Sequence, residues 1–494
     1  MKVVIVNPNS ETVESSRRSR REFLTPIIPL GIAYIAAVLE QNGITAKVID
    51  QVAERINKDE LFKRIIAEKP DLVGFSCLTA TMNNASNLSR RIRDYDKKIK
   101  IVLGNIHASI FADELLKEGA ADIVVRGEGE YTMLELVSSI EKGNGFSGIK
   151  GISFLDGGKV YHNPDRQPIE DLDKLPYPAM HLFKLHKYTE VPLAAIYNSV
   201  ASVVQASRGC PYRCIFCTQD KIHKRPRYRR MDSVIDEIEY MHDKYKMRYF
   251  GFADPYFPFS IESGMEFCDK FIKRGMHKKV RWVTEMRVDS VTPELLKRMK
   301  EAGAYLIMYG FEVGNSEILR GLKKGTTLEQ ARLAMKYTKK AGIMTLGLFM
   351  LGMPGETKQS CEETICFAKE LDCDLVKFNI TIPYPGSELF DLYISKKGEL
   401  GELDKFNSWY DWFSDSGELV YTPEGMNSKE LKNIQRKAMF SFYMRPKIIL
   451  RNLVRGRISP KFLFYGASIL ISGGLKVLFG KMKNRRAPAF DRRK

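Results

Sequence analysis

Cysteine is scarce, with eight in 494 residues, which excludes the disulfide framework that holds small secreted domains together. Long apolar runs are also lacking. The best candidate, Phe462–Leu475, is 14 residues without a charge, short of the roughly 20 that a membrane-spanning helix needs. The opening MKVVIVNPNS passes straight into an alternating apolar pattern with no charged leader and apolar segment, so a cytoplasmic protein is expected. No repeat of solenoid period is visible. Core material, by contrast, is plentiful: 44% apolar and 11% aromatic residues exclude disorder or a fibrous fold as a global description. The length predicts about three domains. The formal charge of +18 is unevenly placed. Lys429–Lys494 holds 18 Lys or Arg against two acids, leaving only +2 on the preceding 428 residues. Basic character therefore belongs to an appendage, and nucleic acid is not an expected partner.

Residues 1–145 alternate short apolar runs with helical patterns. Strands are expected at Lys2–Val6, Ala46–Ile49, Leu72–Ser76, Ile101–Gly104 and Ile123–Val125, with helices such as Leu30–Asn42 and Asn83–Tyr95 between them. Strands joined by crossover helices make a parallel sheet covered on both faces. The expectation is an α/β, doubly wound domain of Rossmann or flavodoxin type, with ligands at the carboxyl ends of its strands. Residues 146–200 are rich in Gly, Pro and Asp and read as a linker with a hairpin near Ile152–Leu155. Over 201–395 the alternation restarts, with strands at Ser202–Ser207, Tyr249–Ala253, Arg281–Glu285, Tyr305–Glu312, Met344–Met350 and Leu375–Ile380. Six βα units predict a partial (β/α)6 TIM-type barrel, active at the carboxyl ends of its strands. Residues 396–494 form a helical C-terminal region.

Directly after the first barrel strand stands SRGCPYRCIFC, Ser207–Cys217. A [4Fe-4S] cube normally takes four thiolates. Three of them, Cys210, Cys214 and Cys217, at spacings of four and three, can wrap one cube from a single loop and leave one iron open. A structural zinc site wants four closed ligands and would need His223 to complete it. The loop resembles the CxxxCxΦC motif of the radical S-adenosylmethionine enzymes. In that family the open iron binds the amino and carboxylate groups of S-adenosylmethionine. One electron, from a donor such as flavodoxin or ferredoxin, then cleaves it to methionine and a 5'-deoxyadenosyl radical.

The resemblance implies roles for several further residues. Phe216 would pack near the adenine. Asp254, in Gly251-Phe252-Ala253-Asp254, would accept from the methionine ammonium, although Pro255 stands where a second acid is usual. Glu285, Arg287 and Glu312 suit the ribose hydroxyls and the methionine carboxylate. Gly347–Glu356 looks like the GxxxxGxPGE stretch along the adenosine, with Gly352 at its close approach. Cys268, Cys361, Cys366 and Cys373 read as small buried hydrophobes.

Two groups of small residues lie where the first domain should bind a ligand, Ser76–Thr81 and Gly104–Ser109. Small side chains let a backbone approach a large flat cofactor. The pattern resembles cobalamin-binding domains: Ser76-x-Leu78 matches their S-x-L segment and Gly104 the first glycine of their GG segment, whose second is Asn105 here. Arg126-Gly127-Glu128-Gly129-Glu130 resembles the RGEGE stretch of cobalamin-binding radical enzymes, implicating Gly127 and Glu128, and Pro29-Leu30-Gly31 their PLG helix start. No histidine precedes His107, so the D-x-H-x-x-G ligand of many cobalamin domains is missing. The resemblance then implies cobalamin with its own base displaced. His107 either contacts the corrin or caps the following helix.

The combined resemblance implies an enzyme that methylates an unactivated carbon of a small or lipid-like substrate through the deoxyadenosyl radical and methylcobalamin. An oxidative cyclase or carbon–carbon coupling enzyme would use the same cofactors. A non-catalytic corrinoid sensor would have no use for the three-cysteine loop, and a methylthiotransferase would need cluster cysteines in the first domain, where only Cys77 lies. The basic tail has two readings: a helix in an anionic membrane interface, placing the protein at the inner face of the membrane, or a helix packed on the barrel.

Overall fold

The computed structural model describes residues 1–10, 26–188, 201–397 and 419–454. The first sheet has seven strands: β1 (Lys2–Asn7), β2 (Thr45–Asp50), β3 (Leu72–Ser76), β4 (Lys100–Gly104), β5 (Ile123–Val125), β6 (Ile152–Asp156) and β7 (Lys159–His162), in the order β2-β1-β3-β4-β5-β6-β7. The first five run parallel. In β1, Val3–Val6 are all buried, the unbroken apolar run of a strand covered on both faces.

The hairpin differs from expectation. It is not part of a linker, because Ile152 pairs antiparallel with Val125 and the hairpin extends the first sheet. Its turn is Gly157-Gly158, both at positive φ, the backbone that matches the twist of tightly connected strands.

The second sheet is the expected partial barrel: β8 (Ala201–Val204), β11 (Tyr249–Phe252), β12 (Arg281–Met286), β13 (Ala304–Glu312), β14 (Met344–Leu351) and β15 (Leu375–Ile380), in that order and all parallel. The strand expected to run to Ser207 stops at Val204. Ser207–Arg208 instead forms β9 of a two-stranded ribbon with β10 (Arg227–Tyr228). Asp254 sets this break, accepting from the Ala206 N–H at 3.1 Å and the Ser207 hydroxyl at 2.5 Å.

An open barrel leaves β15 as an unpaired edge, which proteins usually cover. Here the Ser428–Tyr443 helix covers it. The Tyr443 hydroxyl donates to the Val376 carbonyl at 2.7 Å and accepts from its N–H at 3.0 Å, and the Gln435 amide donates to the Phe378 carbonyl at 2.7 Å. Basic residues of this segment pair with barrel acids: Lys437 with Glu362, Lys447 and Arg451 with Asp372, and Arg451 also with Asp374. Up to Arg451 the tail therefore follows the packed reading. Phe462–Leu475 lies outside the described residues. Among the described residues no helix is long and apolar enough to cross a membrane. Cys268, Cys361 and Cys373 are buried as expected, but Cys366 is exposed. Five residues along a helix turn a side chain about 140° from its predecessor, onto another face.

Candidate active site

The three-cysteine loop leaves the ribbon at Gly209, whose φ is +86° and where a Cβ would stand 2.5 Å from the Arg225 carbonyl oxygen; only glycine fits there. Cys210, Cys214 and Cys217 are half-buried thiols. The loop is pinned by the Cys217 N–H on the Cys214 carbonyl and by the Ile215 N–H on the Leu322 carbonyl. Burial pushes the Cys214 thiol up to about 11 and raises Cys210 as well, while the charges of Lys324 and Arg287 pull both down. Burial outweighs the two cations, so both side chains stay thiols until a bound metal, itself the largest local charge, takes their protons away. Among the described residues no three His, Cys, Asp or Glu converge as one bound ion would require; a cubane spreads its thiolates over separate irons. The donor set fits a [4Fe-4S] cluster. Phe216 packs partly buried among Ile215, Val313, Leu319 and Met353, beside the ends of β13 and β14.

Glu312 is held at φ +65° where the pairing of β13 with β14 slips. A bulge with left-handed backbone at a non-glycine residue is a strained arrangement typical of working sites. Its carboxylate meets the Lys324 ammonium at 2.5 Å, and the same ammonium donates to the Gly310 carbonyl at 2.6 Å. A Cβ on Gly310 would lie 2.5 Å from the Glu312 carboxylate and 2.6 Å from the Lys324 nitrogen, so this glycine is what lets the pair close. Arg287 donates to the Lys324 carbonyl at 2.9 Å and pairs with Asp289, its guanidinium 3.4 Å from the centre of the Tyr212 ring. Glu312 and Arg287 are thus gathered around Lys324 beside the cysteine loop.

Other expected residues are engaged elsewhere. Asp254 is buried against Ala206 and Ser207, and burial pushes its carboxyl up to about 7; it braces the entry to the cysteine loop. At Gly352 a Cβ would meet Leu431 at 2.6 Å, so the glycine admits the C-terminal helix. Its N–H, with that of Met353, donates to Glu356. Glu285 faces the barrel lumen, alternating with the buried Thr284 and Met286.

Lys324 and Lys377 were not singled out from sequence. Nothing local marks Lys324 in GLKKGTT. Lys377 had a signal: it is the lone charge, at a lumen-facing position, in LVKFNI.

At the carboxyl edge of the first sheet, Ser76 accepts from the Asn105 amide at 3.0 Å. Asn105, in the place of a second glycine, keeps a glycine-like backbone at φ 79° and ψ −176°. Its side chain, not that of His107, caps the short helix Ile106–Ile110, which overturns the capping alternative for His107. Leu78 is 44% exposed beside them, and Gly104 and Gly127 complete a ledge of small residues. A large apolar side chain left open among small ones fits a flat ligand such as a corrin. His107 is buried, its Nδ1 3.1 Å from the Thr79 hydroxyl, and burial lowers its pKa to about 4.

A histidine kept neutral when folded costs stability in acid. Below about pH 6.5 the unfolded chain takes up a proton that the folded one refuses, until about pH 4. The loss over that window should reach about 3 kcal/mol at most. Urea titrations at pH 7 and pH 4.5 should show this difference shrinking in His107→Gln; an equal acid loss in both proteins would contradict it.

Glu128 does not face the ledge. Arg227 grips its carboxylate with two hydrogen bonds of 2.7 and 2.9 Å, and Arg208, His223 and the Ile169 N–H lie at 3.3, 3.1 and 2.7 Å. Burial raises this carboxyl, but the bonds from His223 and Arg227 and the charge of Arg208 outweigh it and hold it well below the usual range. Arg208 also reaches Glu130 at 2.6 Å. The pair of acids ties the first domain to the ribbon that launches the cysteine loop. Nearby, Phe111 stacks edge-on to Phe390, and a Cβ on Gly386 would meet both Ile110 and Lys221. The carboxyl edge of the first sheet therefore stands against the mouth of the barrel.

Sequence comparison agrees with both halves. The profile of the B12 binding domain matches residues 20–137 and that of the Radical SAM superfamily residues 204–368. An uncharacterized methyltransferase of Pyrococcus horikoshii is 31% identical over 92% of this chain and 95% of its own length. An anaerobic magnesium-protoporphyrin IX monomethyl ester cyclase of Rubrivivax gelatinosus is 30% identical over 97% of this chain and 84% of its own. The fold matches the radical S-adenosylmethionine methyltransferase TsrM from Kitasatospora setae, solved with cobalamin and a [4Fe-4S] cluster, with a TM-score of 0.65 at 19% identity over 88% of this chain and 81% of that one. The likeness to these relatives runs along nearly the whole chain, and with both domain profiles matched the chain belongs to the cobalamin-dependent radical S-adenosylmethionine enzymes.

Proposed function

We propose that this enzyme transfers a methyl group to an unactivated carbon of a small substrate held in the barrel lumen. The observation that carries the reading is that Ile110 and Phe111, which follow the ledge in the chain, meet Gly386 and Phe390 of the barrel side, so that a substrate in the lumen would lie between the two cofactor sites. When bound, the cluster supplies one electron to S-adenosylmethionine and cobalamin supplies a transferable methyl group. Cys210, Cys214 and Cys217 hold the cluster, and Phe216 lines the adenine side. Glu312, Arg287 and Lys324 orient the charged end of S-adenosylmethionine, Glu285 lies deeper in the lumen, and Gly352 shapes the neighbouring turn. Ser76, Leu78, Gly104 and Gly127 seat the corrin, with neutral His107 beneath them. Closure of the barrel edge by the C-terminal helix keeps water away from the lumen. Relatives named as methyltransferases support the outcome, among them the Pyrococcus protein and a cytidylyl-2-hydroxyethylphosphonate methyltransferase of Streptomyces wedmorensis at 28% identity. The Rubrivivax cyclase keeps ring closure as the second reading. An acidic flavodoxin or ferredoxin serves as electron donor, and the residues beyond Arg451 would carry any contact with an anionic membrane surface.

The test is anaerobic reconstitution with iron, sulfide and hydroxocobalamin, followed by mass spectrometry of metabolite and lipid extracts treated with methyl-labelled S-adenosylmethionine. Label is expected in one extract component, in step with deoxyadenosine. Deoxyadenosine without label in any product would move the assignment to the cyclase.

A further inference from the structure

The lumen contains charge that S-adenosylmethionine binding does not require. Alternation along β15 turns Val376 and Phe378 outward, where Tyr443 and the Phe349 ring cover them, and leaves Lys377 and Asn379 on the lumen face. Lys377 is aligned with Leu348 of β14, Asn379 with Met350. At the base of this lumen wall Met308, Leu346 and Leu375 pack together. Across it stands Glu285, three strands away in the sheet order.

Above Lys377, two side-chain polar atoms lack protein partners, one on β15 and one just past its end. The Asn379 carbonyl oxygen and the Thr381 hydroxyl are buried with no hydrogen-bonding group, and Thr381 is only 1% exposed. Buried polar atoms without partners are rare in folded proteins and cost about 1–3 kcal/mol each. Two of them at i and i+2 point along one strand face, two and four residues beyond Lys377. A cation at the base of the lumen, followed by an amide and a hydroxyl, makes a graded polar strip suited to a ligand with an oxyanion at one end.

We infer that Lys377 anchors an oxyanion of the substrate, a carboxylate, phosphate or phosphonate, while Asn379 and Thr381 hydrogen-bond the part of the substrate nearer the cofactors. The inference deepens the methyl-transfer reading and rests on it for the word substrate. Burial lowers the Lys377 pKa and Glu285 opposes that, while the strand leaves the side chain exposed to the lumen, where an incoming anion would further stabilise the ammonium. Glu285 then discriminates: it repels a second anion on the far wall, so singly anionic substrates are favoured over those charged at both ends.

The test uses the reconstituted holoenzyme and three probes, radiolabelled methylphosphonate, acetate and acetamide, in equilibrium dialysis. Methylphosphonate or acetate is expected to bind at millimolar concentration and acetamide not to. Lys377→Met should weaken anion binding at least tenfold and Lys377→Arg should restore most of it, with cobalamin content and uncoupled deoxyadenosine formation unchanged in both. Equal anion binding by the wild type and Lys377→Met, or no anion binding at all, would overturn the inference. So would loss of uncoupled deoxyadenosine formation in Lys377→Met, which would place Lys377 at S-adenosylmethionine instead. None of these results depends on whether the product is methylated or cyclised.

Discussion

Cys214→Ala brings 5'-deoxyadenosine formation to background, a fall of at least about 10³-fold, the scale on which one member of an interdependent constellation fails. Three thiolates are the fewest that hold a cubane with one iron open, and the described residues offer no fourth cysteine on the loop to replace Cys214. The side chain is half-buried on a loop whose backbone is held by Leu322 and Gly209, so far-UV circular dichroism and cobalamin binding should persist. Anaerobic purification followed by absorbance near the charge-transfer bands of iron–sulfur clusters separates loss of cluster from loss of fold. A brown Cys214→Ala protein that still cleaves S-adenosylmethionine would remove the cluster assignment.

Glu128→Ala should lower stability by about 3–5 kcal/mol, the range for breaking a buried ion pair and leaving its partner charge uncompensated. Arg227 and Arg208 would then lie buried with their shared acid gone, Arg208 keeping Glu130 and Gln205 and Arg227 the Ile169 carbonyl. Because the cluster joins the two domains, the urea transition should also split, the first domain losing its cooperativity with the barrel. Glu128→Gln, which keeps the shape and one acceptor, should lose less. A single transition with an unshifted midpoint in Glu128→Ala would show that the domains are held by apolar contacts such as Phe111 with Phe390 alone. Cobalamin affinity supplies the other readout: a residue in the ion cluster should change it far less than the same change at Gly127 or Leu78.

Much of the fold was legible in the sequence because its signals are local. Alternation and apolar runs located all six barrel strands to within a few residues, and the three cysteines announced themselves by spacing. The errors share one cause. The hairpin looked like linker because its turn residues are local, whereas its pairing partner, β5, lies 27 residues upstream from Ile152 to Val125. Glu128 looked like a ligand residue because it sits in a motif, while its actual partners Arg227 and His223 are 99 and 95 residues away. Asp254 and Gly352 stand at the expected strand ends, and each also meets partners distant in the chain, the cysteine-loop entry and the C-terminal helix.

The sequence by itself determined the elements, their α/β alternation, the thiol donor set and the cofactor class, since each depends on residues within one turn, strand or loop of each other. Only the tertiary structure decided which partners each of these charges meets. Glu128 meets Arg227, Lys324 meets Glu312 and Lys377 faces Glu285 through contacts between separate elements. Electrostatic energy depends on separation and burial in space, and neither quantity is written in the order of residues along the chain.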